Sequence, residues 1–438
     1  MSAVPITERA NVITEGIDVA TAEGMLRLLR QSDEQMFAGY STHATMGDTT
    51  DQLATLSDLI RAHVLSKEPA TVVMGGSGTS GRFAFNTARS FNAVLLQRGM
   101  APVLQYLCAG GDPALFQSQE APEDNWQLGI EQLEAITSKH TRVLYIGITC
   151  GLSAPVVAAQ LWHCLTHPDR FTAVLLGFNP PTLARDIVIE GWDKSVKAVV
   201  DAMLEVQAAT PAGQMPRALV MTPVVGPEPI TGSSRMKGAS ATKILLECAF
   251  TRALHASVPA ATLPDLMQEY AAAIRSTYMA GPQLAALVTA AGHALRANGH
   301  IYYLGHDSFG IAALIDASEC QPTFNAVPDD VRAFLQHGFT ALRNIDGDLE
   351  PRGRRYLLSW DAFEAEFLPA VTAHDLVIAI TALQATVDPQ LARMCSVAKQ
   401  QGAAIALLSV SDKQPADVRA LLARVLQCDH HMCIVAGR

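Results

Sequence analysis

Short apolar segments alternate along this chain with longer segments of helical periodicity, and this alternation restricts the fold more than any other feature. It is typical of parallel sheets that are covered by helices on both faces. The predicted strands form two series: 71–74, 104–107, 143–148, 173–177 and 218–221, followed by 301–304, 376–380, 405–408 and 432–435. The sequence therefore predicts two parallel α/β domains in tandem.

A stretch rich in Ala and Leu separates the two series. It runs from Pro264 to Asn298, is interrupted at Gly281-Pro282, and ends at Asn298-Gly299, a pair typical of a helix end. We therefore expect two linker helices between the domains. Before the first series, the chain predicts a helical arm whose most periodic part is Glu23 to Met36.

A glycine-rich loop follows the first predicted strand of each series. The first copy is Gly76-Ser77-Gly78-Thr79-Ser80-Gly81-Arg82, and the second is Gly305-His306-Asp307-Ser308-Phe309-Gly310-Ile311, at a spacing of 229 residues (Gly305 against Gly76). At the same spacing, Ser90 of the first half corresponds to Glu319 of the second. One half keeps the loop and the other keeps a carboxylate, which predicts one composite site built from two related domains.

The composition limits the kinds of partner. With 438 residues, 49% hydrophobic and 17% charged, the chain is globular and long enough for two or three domains. A net charge of −10 without a basic run argues against nucleic acid and anionic membranes as partners. The polar start of the chain and the lack of a long apolar run predict a soluble cytoplasmic protein.

The spacing of the cysteines and histidines does not predict a metal site. The eight cysteines lack Cys-x-x-Cys spacing, so neither a zinc site nor a disulfide framework is predicted. His430-His431 is the alternative metal pair, but adjacent residues of a strand point to opposite faces. We therefore expect no metal and no other cofactor.

The first loop has two interpretations with a ligand and one without. Gly76-x-Gly78-x-x-Gly81 between a strand and a helix matches the dinucleotide fingerprint. However, Thr79 and Ser80 occupy the variable positions, and no acid follows at the usual ribose distance. Hydroxyl groups at a helix N-terminus suit a terminal phosphate, which favours a phosphomonoester. A P-loop is excluded because no Gly-Lys-Ser/Thr follows, and a glycine turn without a ligand stays open.

Two further polar segments should lie at the same edge of the sheet, where the carboxyl ends of parallel strands form the ligand crevice. Residues 147–155 again combine hydroxyl groups and glycine before a helix. Residues 226–238 form a polar loop with two cations, Arg235 and Lys237. Both segments are predicted to face the ligand.

Residues 79–82, 149–155, 226–237 and 316–324 resemble the sugar isomerase (SIS) domains of N-acetylmuramic acid 6-phosphate etherases and of the glucokinase regulatory protein. The resemblance covers nearly the whole chain. It implies two flavodoxin-like SIS domains, each a parallel-sheet three-layer αβα structure, in tandem. The expected boundaries are an N-terminal helical arm at 1–60, the first SIS domain at 61–258, linker helices at 259–298 and the second SIS domain at 299–438.

Different segments are similar to different members. Residues 225–228 and 232–238 are closest to the regulatory protein, whereas 316–324 and the N-terminal 7–9 and 21–26 are closer to the etherases. The resemblance implies these sugar-phosphate-binding residues: Gly78, Thr79, Ser80, Arg82, Glu123, Thr149, Gly151, Ser153, Ser233, Ser234 and Arg235.

The resemblance to the etherases implies two catalytic glutamates per site. In the etherases, one of the two is supplied by a partner subunit. Glu319 corresponds to that residue, and Glu120 takes the other position in a run resembling Glu-Gly-x-Glu-Asp, although Ala121-Pro122 departs from the family there. Glu319 lies nine residues beyond Gly310, roughly 13 Å along a helix, so it cannot serve its own loop but could serve the intact one. A solvated acidic turn is the alternative for 120–124.

Two hypotheses of function follow. The first is a carbon–oxygen lyase that cleaves the lactyl ether of N-acetylmuramic acid 6-phosphate to N-acetylglucosamine 6-phosphate and D-lactate, with Glu120 and Glu319 catalysing elimination and hydration. The second is a non-catalytic sugar-phosphate sensor that inhibits a hexokinase-like partner, as in the glucokinase regulatory protein. We rank the lyase first, and an aldose–ketose isomerase or deglycase third. In each case we expect an internal pseudo-dimer within one chain, and a further homodimer of the chain stays open.

Overall fold

The chain divides into two units, each built around one parallel sheet of five strands. The computed structural model describes residues 4–117, 121–255, 262–382, 387–411 and 428–435. The first unit contains the described residues of Met1–Glu15, Gln31–Ala114 and Gln119–Tyr270, and the second those of Gly16–Arg30, Leu115–Ser118 and Ala271–Arg438.

The first sheet is flanked by helices that follow its strands in the chain. The elements up to the end of this sheet are α1 (Ala22–Ala38), α2 (Thr50–Val64), β1 (Ala70–Gly76), α3 (Gly78–Gln97), β2 (Leu104–Cys108), α4 (Ala121–Asp124), α5 (Trp126–Thr137), β3 (Arg142–Ile148), α6 (Pro155–Thr166), β4 (Phe171–Leu176), α7 (Val196–Ala208), β5 (Ala218–Met221) and α8 (Lys237–Leu254). Helix α8 packs against α2 and α3, whereas α6 packs against α5 and α7. The strands are almost entirely buried, which explains their continuous apolar sequences.

The strand order of the first sheet is β2-β1-β3-β4-β5, and all its pairs are parallel. The chain moves outward in one direction after β1 and in the other after β3, so the loops that follow these two strands lie side by side. Gly76, the last residue of β1, pairs with Cys108 of β2 and Ile148 of β3. This switch point is where α/β sheets of this order bind ligands.

The second unit repeats this topology. Its elements are α9 (Leu263–Met279, shared between the units), α10 (Gly281–Arg296), β6 (Ile301–Gly305), α11 (Asp307–Phe324), β7 (Val331–Leu335), α12 (Gly338–Leu342), α13 (Trp360–Ala362), β8 (Leu376–Ala382), α14 (Pro389–Gln400), β9 (Ala404–Ser411) and β10 (His430–Val435). The order β10-β9-β8-β6-β7 is that of the first sheet, read from the opposite end. The predicted class of two parallel α/β domains is confirmed.

Strand β7 was missing from the predicted series. Its sequence, Val-Arg-Ala-Phe-Leu, has a charge at the second of five positions and leaves only a three-residue apolar run. The Arg332 side chain is nevertheless buried, because its guanidinium donates to Asp329 at 2.8 Å and to the carbonyl oxygens of Arg354 and Leu357 at 3.1 and 3.0 Å. Arg332 also lies 4.9 Å from the ring of Phe367. Apart from Asp329, these partners lie 22 or more residues further along the chain, so a local sequence pattern does not reveal them.

The two glycine-rich loops keep one backbone shape. Gly78 has φ +52°, and Asp307, at the same place in the second copy, has φ +39°. In both copies the flanking glycines are in close contact: a Cβ on Gly76 would lie 2.7 Å from Ser80 Cβ, and one on Gly305 would lie 2.5 Å from Gly310 Cα. The repeat inferred from the 229-residue spacing is therefore a structural repeat. A non-glycine residue in the left-handed region is strained, so the second loop keeps the shape at some cost.

Candidate functional site

The loop after β1 presents the N-terminus of a long helix to the switch point. Helix α3 starts at Gly78, and Ser77 occupies the N-cap position without a side-chain hydrogen bond to the helix. A Cβ on Gly81 would lie 2.7 Å from the carbonyl oxygen of Gly76 and 2.6 Å from Cys108 Sγ, so only glycine allows this close turn. Backbone N–H groups and the helix dipole favour an anion at such a terminus.

The loop after β3 forms a second polar turn beside the first. Thr149 Oγ1 accepts hydrogen bonds from the backbone N–H groups of Ser153 and Ala154 at 3.2 and 3.4 Å. Cys150 Sγ lies 3.6 Å from Ser80 Oγ, which joins the two turns. Burial raises the pKa of the Cys150 thiol to about 12, so this group stays protonated and serves as a neutral wall rather than a nucleophile.

The loop after β5 supplies a buried carboxylate. Glu228 is 1% exposed and accepts hydrogen bonds from the backbone N–H groups of Lys237 and Gly238, both at 2.8 Å. The N-terminus of α8 is therefore occupied by a protein carboxylate and is not the place for a ligand phosphate. Burial raises the pKa of Glu228 to about 7, although the two amides and the charge of Lys237 oppose this.

Lys237 is buried on the far side of the same turn. Its ammonium donates to Gln35 Oε1 at 2.6 Å and to the carbonyl oxygen of Val225 at 2.9 Å. Burial lowers its pKa to about 8, opposed by the neighbouring charge of Glu228. Lys237 thus fixes the loop after β5 and does not line the cleft described next.

These loops line a polar cleft at the switch point of the first sheet. Six of the predicted ligand-binding residues line it: Ser80, Glu123, Thr149, Gly151, Ser153 and Ser234. Eight further residues of the lining are not among the predicted binding residues: Thr7, Glu8, Ser77, Ile148, Cys150, Ala154, Glu228 and Gly232. Five of these eight, from Ile148 to Gly232, belong to the segments 147–155 and 226–238, which the sequence predicted to face the ligand. The cleft thus combines hydroxyl groups at two helix N-termini with three carboxylates, and its described lining holds no Lys or Arg.

The other predicted binding residues lie outside this lining. Arg82 is fully buried, and its Nε donates to the carbonyl oxygen of Ala114 at 2.9 Å, so it supports the loop after β2. Thr79 and Ser233 are also buried, Arg235 is half-buried, and Gly78 provides the turn. Their contact with a ligand stays a prediction.

The two predicted catalytic glutamates are placed differently. Glu120 lies outside the described residues, whereas Glu123, in the short helix α4, lines the cleft. Glu319 belongs to the second unit, on α11, and is 8% exposed. That Glu319 serves the loop of the first unit stays a prediction.

In the second unit, polar side chains at the position that corresponds to the cleft form hydrogen bonds with one another. His306, which corresponds to Ser77, hydrogen-bonds through Nδ1 to Gln336 Oε1 at 2.9 Å, and Gln336 Nε2 donates to Asp388 Oδ2 at 2.7 Å. Asp388 in turn caps α14 by accepting from the N–H groups of Gln390 and Leu391. The second loop is therefore degenerate in chemistry as well as in sequence.

The N-terminal strap, residues 4–15, contributes to the cleft of the first unit. Thr7 is bonded to the fully buried Asn179: its N–H donates to Asn179 Oδ1 at 3.1 Å, and its Oγ1 accepts from Asn179 Nδ2 at 2.9 Å. Asn11 Nδ2 donates to the carbonyl oxygen of Pro227 at 2.9 Å, and Thr14 Oγ1 to that of Pro229 at 2.6 Å. The resemblance of residues 7–9 to the etherases was the one sequence signal for this role.

Comparison with known proteins agrees with this geometry. The family model of the glucokinase regulatory protein N-terminal SIS domain matches residues 55–165, and that of its second SIS domain matches residues 278–433. The chain belongs to the tandem SIS-domain proteins. The match of two separate domain models to the two halves of the chain agrees with the repeated topology of the two units.

Among curated relatives of this tandem SIS-domain protein, the glucokinase regulatory protein of Xenopus laevis is 36% identical over 408 residues, 91% of this chain and 65% of the relative. The chain thus spans less than two thirds of that protein. The N-acetylmuramic acid 6-phosphate etherase of Aliivibrio fischeri (strain MJ11) is 29% identical over 251 residues, 57% of this chain and 69% of the relative. Identity to the regulatory protein is higher and extends further, which favours the second hypothesis of function over the first.

A solved structure also shares the fold. Tagatose-6-phosphate ketose/aldose isomerase from Escherichia coli covers 98% of this chain and 89% of its own, with a TM-score of 0.51 and 11% sequence identity. At that identity the likeness concerns the fold alone. In the part of the chain that the structure describes, no helix is long and apolar enough to cross a membrane. Within the same residues, no group of three or more His, Cys, Asp or Glu side chains is arranged to hold a metal ion.

Proposed function

We propose that this tandem SIS-domain protein is a non-catalytic sugar-phosphate sensor that regulates a hexokinase-like sugar kinase. The observation that carries the proposal is the polar cleft at the switch point of the first sheet, in a chain that is 36% identical to a glucokinase regulatory protein over 91% of its length. This reverses the order in which the sequence alone ranked the two hypotheses.

The ligand is a phosphomonoester of a sugar. Its phosphate binds at the N-terminus of α3, where Ser77 and Ser80 line the cleft and the helix dipole favours negative charge. The turn formed by Thr149, Gly151 and Ser153 offers further hydroxyl and amide groups. The N-terminus of α8 is excluded as the phosphate site because Glu228 occupies its amides.

The kinase partner follows from the relatives named for regulating glucokinase. Occupancy of the cleft by a sugar phosphate would change the affinity of the sensor for the kinase, and by thermodynamic linkage the kinase would change the affinity for the sugar phosphate by the same factor.

The test combines binding with inhibition. Fructose 6-phosphate is titrated into the protein by calorimetry, and a hexokinase from the same organism is assayed with and without the protein at several concentrations of that ligand. We expect saturable binding and an inhibition that varies with ligand concentration. Binding without any effect on each sugar kinase of that organism would overturn the regulatory role and leave the ligand assignment standing.

The second candidate function is the lyase, and the observation in its favour is the similarity to N-acetylmuramic acid 6-phosphate etherases over 57% of the chain. In that reaction Glu120 and Glu319 would act as acid and base. Incubation with N-acetylmuramic acid 6-phosphate and an assay of D-lactate tests it, with Glu319→Gln as the control. D-lactate formation that is lost in Glu319→Gln would establish the lyase, and no lactate above that control would remove it.

A further inference from the structure

The strap is tied to the loops that form the cleft. Through Asn179 it reaches the loops after β4 and β3, since Asn179 Nδ2 also donates to the carbonyl oxygen of Gly151 at 2.9 Å. Through Asn11 and Thr14 it is bonded to the loop after β5. Ile6, beside Thr7, is 1% exposed. The strap is thus held in place by buried contacts that are independent of any ligand.

This attachment sets the position of Glu8. A Cβ added to Gly151 would lie 3.6 Å from Glu8 Oε1 and 3.6 Å from Thr7 Oγ1, so both strap side chains face the turn that lines the cleft. The carboxylate of Glu8 makes no hydrogen bond or ion pair with any residue that the structure describes, and the same holds for the carboxylate of Glu123 on the lining. Two carboxylates therefore face the cleft with their acceptor capacity unused.

An ionised carboxylate accepts hydrogen bonds and cannot donate them. A ligand that meets Glu8 must therefore offer a hydroxyl or another donor there, and a second anionic group on the ligand would be repelled. The phosphate itself binds at a different part of the lining, the hydroxyl-rich turns. Backbone amides and the dipole of α3 favour an anion there.

We propose that Glu8 is a specificity-determining residue of the sugar-phosphate site: it accepts a hydrogen bond from a hydroxyl of the sugar and discriminates against sugar phosphates that carry a second anionic group. This inference rests on the proposed ligand class. It assigns the strap to the binding site and restricts the ligand to sugar phosphates with an uncharged body.

Two ligands and two matched variants test the inference. Fructose 6-phosphate has an uncharged body, and 6-phosphogluconate carries a carboxylate in addition to its phosphate. Glu8→Gln removes the negative charge while keeping the size of the side chain. Glu15→Gln removes the same charge from an exposed position of the same strap, outside the lining of the cleft.

Calorimetric titration of the full chain gives the ratio of the two affinities for each variant. We expect the wild-type protein to prefer fructose 6-phosphate, Glu8→Gln to reduce that preference at least about fivefold, and Glu15→Gln to leave it within about twofold. If wild-type protein binds fructose 6-phosphate and Glu8→Gln leaves the ratio of the two affinities unchanged, the role of Glu8 is overturned and the proposed function stands. If neither ligand binds the wild-type protein, the proposed function fails and the role of Glu8 fails with it.

Discussion

Glu228 lies against the first turn of α8 and accepts a hydrogen bond from the backbone N–H of Lys237 at 2.8 Å. Both side chains are buried, since Glu228 is 1% and Lys237 0% exposed. A loop that enters the cleft is thus fixed by a carboxylate whose pKa is raised to about 7 by burial. Such a group makes the stability of the first unit depend on pH.

Glu228 should lower the stability of the fold as pH rises. The folded chain keeps the Glu228 proton up to about pH 7, whereas an unfolded chain releases it near the ordinary value of 4.5, so the free energy of unfolding falls between these pH values, by up to about 3 kcal/mol. In Glu228→Gln this contribution is absent. Urea unfolding at pH 5 and 7 measures it, and Glu15→Gln serves as the exposed control. Equal pH dependence in Glu228→Gln and wild type would contradict the raised pKa.

Ser80 should contribute directly to phosphate binding. We expect Ser80→Ala to weaken the affinity for fructose 6-phosphate about tenfold, because a hydrogen bond to a charged group is lost. Ser90→Ala changes the same residue type further along α3, outside the cleft lining, and should bind as wild type does. Calorimetric titration of both variants decides the point, and equal affinities would show that the phosphate lies elsewhere.

Gly81→Ala should destabilise the first unit by about 1–3 kcal/mol, because the added Cβ meets the carbonyl oxygen of Gly76 and the thiol of Cys108. Gly281→Ala is the control, since a Cβ there meets nothing within 4 Å and lies at the start of a helix. Urea unfolding of the two variants gives the comparison. A loss of stability in both, or in neither, would argue against the close turn.

Asn179→Ala should release the strap. The substitution removes hydrogen bonds to Thr7 N–H, Thr7 Oγ1 and the carbonyl oxygen of Gly151. We therefore expect faster tryptic cleavage after Arg9 and weaker binding of fructose 6-phosphate. Asn92→Ala also removes two side-chain bonds to the backbone, both to Leu104, and should leave cleavage after Arg9 unchanged. If Asn179→Ala is cleaved no faster than Asn92→Ala, the strap is not held by Asn179.

Much of the architecture could be predicted from local patterns. Most strands of both sheets are apolar enough to be recognised, and the spacing between Gly76 and Gly305 identifies the repeat from the sequence alone. Strand β7 could not be recognised, because the carbonyl oxygens that satisfy the buried Arg332 belong to residues 22 and 25 positions further along the chain.

The site was predicted in part for the same reason. Ser80, Thr149 and Ser153 follow strands that end at one edge of the sheet, so their convergence is a consequence of topology. The strand pattern also placed Glu228 in a loop that faces the ligand, but not its hydrogen bonds to the first turn of α8. Glu8 does not follow from the strand pattern, because its position depends on the hydrogen bonds of its neighbour, Thr7, to Asn179. Arg82 is buried and its Nε donates to the carbonyl oxygen of Ala114, and its contact with a ligand stays a prediction.

The central claim is that the chain binds a sugar phosphate without converting it. The most direct measurement is a calorimetric titration with fructose 6-phosphate, followed by ³¹P and ¹H NMR of the recovered ligand and, in parallel, a D-lactate assay with N-acetylmuramic acid 6-phosphate. We predict saturable binding that is weakened in Ser80→Ala, a ligand recovered unchanged, and no D-lactate. Absence of binding, or D-lactate formation that Glu319→Gln abolishes, would contradict the account.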